Sequence, residues 1–96
     1  MAKKQLEWFR RSQTDRQKIA EFYATEASIF IADEAIGPIQ SAGERAAKNP
    51  LHYRDGHKQG THEYVMRRFP YIIVYRVKAD KVVVLRVLHQ AMRYFN

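Results

Sequence analysis

The spacing of apolar positions changes three times along the chain. Leu6 and Trp8 alternate with polar neighbours across Lys4 to Phe9, the period of a half-buried strand, and this signal stops at the polar run Arg10 to Gln13. Thr14-Asp15-Arg16-Gln17 has the form of a capping box, in which the Thr hydroxyl and the Gln side chain satisfy free backbone amides at a helix start. A helix is therefore predicted from about Asp15 to Ala27. Ile19, Tyr23 and Ala27 recur at every fourth position with Ala20 and Ala24 beside them, leaving Arg16, Lys18, Glu21 and Glu26 off the stripe. A second helical stretch covers Ser28 to Ala47, with Ile29, Ile36 and Ile39 as its apolar positions. Gly37-Pro38 sits in its middle, where Pro38 lacks a backbone donor and pushes Gly37 away from helical angles, so a kink or a break is predicted there. Asn49-Pro50 closes the helical half.

Leu51 to Gly60 has no period and contains Asp55-Gly56 and a second glycine, the signature of an irregular loop. Three strand patterns follow: Thr61 to Phe69, Tyr71 to Val77 and Lys81 to His89, with turns at Phe69-Pro70 and Lys78-Ala79-Asp80. Their β-branched and aromatic content predicts an antiparallel meander. The fold class is α+β: an N-terminal strand, a two-helix hairpin, then a three-stranded meander, in a single domain spanning 1–96. If Val77 stands opposite Lys81, the even-numbered residues of the last two strands share one face and Tyr71, Ile73, Tyr75, Val83, Leu85 and Val87 share the other. Both faces are mainly apolar, and two helices on one side leave the other as an arginine-rimmed patch suited to a partner.

Composition sharpens this picture in three ways. The chain of 96 residues is 46% hydrophobic and 28% charged, too apolar for disorder, and short enough for one modest core. It has no cysteine, which removes disulfides and thiolate metal sites and makes the cytoplasm the default compartment. The start Met1-Ala2-Lys3-Lys4 runs into Gln5-Leu6-Glu7-Trp8 rather than an apolar signal core, and apolar runs such as Val82 to Leu85 are far below a membrane span, so neither export nor membrane insertion is expected.

The net charge of +7 is concentrated at one end. Residues 1–66 hold ten Lys or Arg against nine Asp or Glu, whereas 67–96 hold seven against Asp80 alone. An acidic or polyanionic partner is implied.

No zinc, calcium, phosphate-loop or dinucleotide motif is present, so no cofactor and no metal are expected. His52, His57 and His62 cluster in the loop and its following strand, where unpatterned histidines are mostly solvated. The basic and aromatic residues towards the end, Arg67, Arg68, Arg76, Arg86, His89, Arg93 and Tyr94, are the candidates for gripping a target or a protein partner. Each of them has a plainer reading as part of a charged edge that discourages sheet aggregation. Metal-free RNA cleavage would need a base, an acid and cations at the phosphorane, roles that Glu63, Arg68, His89 and Tyr94 could fill by type but not by a specific spacing.

The element order and the run Tyr71-Ile72-Ile73-Val74-Tyr75-Arg76-Val77, followed by Val82 to His89 and then Gln90-Ala91-Met92-Arg93-Tyr94, resemble the RelE/ParE superfamily of toxins, and the ParE branch most. The resemblance implies the toxin of a type II toxin-antitoxin, plasmid-stabilising pair, neutralised by a cognate antitoxin in a hetero-oligomeric complex. It implies DNA gyrase as the target, poisoned without enzymatic chemistry. The RelE branch instead cleaves messenger RNA on the ribosome and usually carries an Arg as second residue of the strand corresponding to Tyr71–Val77, where this chain has Ile72. A ribosome-dependent endoribonuclease is therefore the alternative, and a basic nucleic-acid-binding module, whose overexpression a cell would tolerate, is the alternative of another class.

Overall fold

The computed structural model describes residues 4–91. The N-terminal alternation forms β1 (Gln5–Trp8), which lies parallel to the last strand, β5 (Lys81–His89), with Leu6 beside Val82 and Trp8 beside Val84. Phe9 N still donates to Val84 O at 2.9 Å, and the chain then turns straight into α1 (Arg10–Glu26). The helix thus begins five residues before the expected start at Asp15. Thr14 does not cap it: its hydroxyl donates back to the Arg10 carbonyl inside the helix, at 3.3 Å. Departure from the sheet fixes the start instead, and the buried Ser12 hydroxyl holds it by donating to Phe9 O at 2.6 Å.

Ser28 caps α2 (Ile29–Lys48) by accepting from Ile31 N at 3.2 Å. The expected break does not occur, and Pro38 sits within one continuous helix. Pro38 has no N–H to give the Glu34 carbonyl, and Gly37 is exposed. Burial on the opposite side outweighs that loss, since Ala35, Ile39, Ala42 and Ala46 are at most 2% exposed on both sides of the proline.

The remaining strands are β2 (Arg54–Asp55), β3 (Thr61–Val65) and β4 (Tyr71–Val77), giving a five-stranded sheet in the order β1-β5-β4-β3-β2. The loop expected over 51–60 thus contains a short strand, and β3 ends at Val65 rather than Phe69 because Met66 N already closes the turn onto Tyr71 O. The last hairpin differs from the expected register. Lys78 N donates to Lys81 O, so the turn is Ala79-Asp80 and Val77 stands opposite Val82. A bulge then inserts Leu85, because Tyr75 pairs with Val84 but Val74 with Arg86. The even-numbered pairing holds only beyond that bulge, at Val74 with Arg86 and Ile72 with Leu88.

Both helices cover one side of the sheet, where Ile19, Ala35, Ile39, Ala42 and Ala46 pack with Tyr71, Ile73, Tyr75, Val82, Val84 and Val87. The other side carries Glu63, Ile72, Val74, Arg76, Val83, Arg86 and Leu88, of which Ile72 and Val83 are buried outside this core. Among the described residues no helix is long and apolar enough to cross a membrane.

Candidate functional site

Two clefts collect the basic side chains. The larger, about 960 Å³, opens between α2 and the β2–β3 edge of the sheet. Burial of Ala42 and Ala46 turns Ser41 and Arg45 of α2 towards it. The segment after α2 brings His52, Tyr53 and Arg54, β3 brings Glu63 and Tyr64, and the β3–β4 connection brings Arg67 and Arg68.

Three of the four guanidinium groups in this cleft are held in place. Arg45 Nη1 donates to Tyr64 Oη at 3.3 Å, a bond that keeps Arg45 above its ordinary pKa. Arg54 Nε donates to Glu63 Oε1 at 2.9 Å, and Arg68 Nη2 to Glu34 Oε2 at 2.6 Å. Arg67 is exposed, with no ion pair among the described residues. The rings form a chain: His52 meets Tyr53 edge-on at 5.0 Å between centroids, and Tyr53 meets Tyr64 at 4.7 Å.

The second cleft, about 370 Å³, lies on the helix-free side. Val74, Leu85, Leu88 and Phe9 give its apolar surface, and Arg11, His57 and Lys58 add charge or polarity, with Glu63 lining this cleft as well as the first. Arg86 reaches it too, but is engaged: Nε and Nη2 donate to the two Asp15 oxygens at 2.8 and 3.1 Å, raising the Arg86 pKa through that bond.

The seven residues singled out from sequence are therefore dispersed. Arg67 and Arg68 line the first cleft and Arg86 the second. Arg76 shares the helix-free side, beside Val83. His89 lines neither cleft: it stands exposed at the end of β5, edge-on to Tyr71 at 5.7 Å, with Nδ1 accepting from Ala91 N at 3.1 Å. Arg93 and Tyr94 lie outside the described residues. The three clustered histidines separate as well, His52 into the first cleft, His57 into the second and His62 against the Tyr75 ring at 5.5 Å. No metal-binding group of three acidic or imidazole side chains forms among the described residues.

Sequence reasoning missed Arg45, Arg54 and the ring chain. Arg45 shares an alanine-rich helix with one other cation, Lys48, and residues 52–54 fall in a stretch without period, so only the fold assembles them. It also missed an apolar patch at the tip of the helical hairpin, where Phe22, Ile29 and Phe30 are 54%, 67% and 76% exposed. The available signal was Phe22, which lies off the Ile19/Tyr23/Ala27 stripe.

The family model of the ParE toxin of type II toxin-antitoxin systems, parDE, matches residues 6–94. The chain belongs to the ParE toxin family. It is the toxin component of a type II toxin-antitoxin system. No curated protein sequence matches it. In fold the toxin is similar to a chain of the chromosomal ParDE system of P. aeruginosa, at 19% identity and a TM-score of 0.81 over 90% of this chain and 95% of that one. It is also similar to a chain of the RelBE2 toxin-antitoxin complex of Mycobacterium tuberculosis, at 22% identity and a TM-score of 0.62 over 95% of each.

Proposed function

We propose that this toxin poisons DNA gyrase, trapping it on cleaved DNA, and that a cognate antitoxin neutralises it in a hetero-oligomeric complex. The observation that carries the reading is Ile72. It is the second residue of β4, 1% exposed, at the place where the RNA-cleaving branch usually has an arginine. A phosphorane needs positive charge within hydrogen-bond reach, and a buried isoleucine supplies none. Two of the other candidates for RNA chemistry support the same reading, because His89 lies outside the cleft that Arg68 lines.

A second reading, cleavage of messenger RNA on the ribosome, draws on the smaller cleft. Glu63, His57 and Lys58 line it together, a carboxylate, an imidazole and a cation of the types that metal-free phosphodiester cleavage uses.

The antitoxin is placed over the cationic C-terminal third, residues 67–96, where an acidic segment has the most to gain. Plasmid stabilisation follows if the antitoxin decays faster than the toxin. Induction of the toxin alone in a bacterium tests the target. Growth arrest with chromosomal double-strand breaks, both reversed by the antitoxin, is the expected result. Arrest with intact chromosomes and cut messenger RNA would favour the second reading.

A further inference from the structure

The larger cleft has a composition that neither reading of the target uses. We propose that it binds a short stretch of single-stranded nucleic acid, with phosphates on its arginines and bases against its rings. The inference stands on the cleft alone and requires neither gyrase nor the ribosome.

Charge comes first. Arg45, Arg54, Arg67 and Arg68 line one concavity, and Glu63 is the only carboxylate among its lining residues. Their positions are fixed by other contacts, Arg45 by Tyr64, Arg54 by Glu63 and Arg68 by Glu34, and each of those contacts occupies one nitrogen of the guanidinium. A guanidinium has five N–H donors in a planar fork, so donors remain for phosphate oxygens, and the side-chain entropy of positioning is already spent.

The rings decide between a nucleic acid and an acidic peptide. His52 is exposed and leads through Tyr53 to Tyr64 in the same cleft as the arginines. Cations that track a backbone, interleaved with rings on which bases stack, make up the usual single-strand platform. An acidic peptide would use the cations and leave the rings idle. Size agrees with a single strand, because a cleft of about 960 Å³ accommodates a few nucleotides but not a duplex, whose bases are also sealed from the rings.

The test is fluorescence anisotropy with the full-length toxin and labelled oligothymidylate or oligouridylate, titrated at several salt concentrations. Either strand should bind, and the slope of log affinity against log salt should shrink by about 0.7 for each phosphate contact removed, in Arg45→Ala and again in Arg67→Ala. His52→Ala should weaken binding about tenfold and remove the preference for oligothymidylate over an abasic strand. Both arginines and His52 are exposed, so these variants should keep the wild-type circular dichroism spectrum. Lys18→Ala on exposed α1, outside the cleft, should leave affinity unchanged. Three outcomes would overturn the proposal: no binding of either strand, a loss in Lys18→Ala equal to that in Arg45→Ala, or polyglutamate binding with the same arginine dependence while neither nucleic acid binds.

Discussion

Asp15 does more for this fold than its place on an amphipathic helix suggests. β1 ends opposite Val84, so the Val87 N–H farther along β5 has no strand beside it. The Asp15 carboxylate takes that role, accepting from Val87 N at 2.9 Å while it holds Arg86 through two further bonds. Asp15→Ala removes the acceptor and leaves a largely buried guanidinium without its counterion. The expected cost is about 2 to 4 kcal/mol in urea unfolding, with a smaller cost for Asp15→Asn, which keeps an acceptor but not the charge. An unchanged midpoint in Asp15→Ala would show that Arg86 finds another partner. Sequence marked Asp15 only as the second residue of a cap that does not form, because its partners lie more than seventy positions away.

Tyrosines give the fold an alkaline limit. Burial raises Tyr75 above its ordinary value of 10.0, and burial followed by the hydrogen bond with Tyr23 raises Tyr71. A raised folded-state pKa means the folded chain holds the proton more tightly than the unfolded one. The stability this brings is complete below pH 10.0 and is lost as pH climbs towards the folded-state values. The melting temperature should therefore fall steeply above that pH. Tyr75→Phe gives up the hydroxyl bond to Pro50 O, at 2.6 Å, and should cost about 1 kcal/mol at neutral pH while flattening the alkaline decline. An equally steep decline in Tyr75→Phe would mean that Tyr75 does not titrate with unfolding.

At the scale of elements, α2 tests how far packing overrides local preference. Proline inside a helix is disfavoured by about 3 kcal/mol relative to alanine, although its rigidity in the unfolded chain returns some of that. Pro38→Ala should thus stabilise the toxin by about 1 to 3 kcal/mol in thermal or urea unfolding. A loss would mean that the neighbouring packing has adapted to the proline. The meander was legible because its β-branched and aromatic runs are long, whereas the break at Pro38 was misread because alanines on the buried side of α2 carry little sequence signal. The register of the last hairpin was illegible for a different reason: with both faces apolar, nothing in the pattern penalises a one-residue slip.

At the scale of the molecule, the uneven charge was legible and the surface it makes was not. Sequence placed the excess in residues 67–96, but folding joins Arg67 and Arg68 to Arg45 and Arg54 from the nearly neutral first two-thirds, and it ties Arg86 to Asp15. Ile72 stands, 1% exposed, where the resemblance to the RelE branch leads one to expect an arginine, and this is the ground for the proposed gyrase reading. The most direct test puts the purified toxin into two assays at equal concentration: supercoiling by purified gyrase with detection of cleaved DNA, and messenger RNA programmed on ribosomes. The account requires lost supercoiling and accumulating linear DNA in the first, with intact messenger RNA in the second. Codon-positioned cuts in the messenger RNA, with gyrase left fully active, would contradict it.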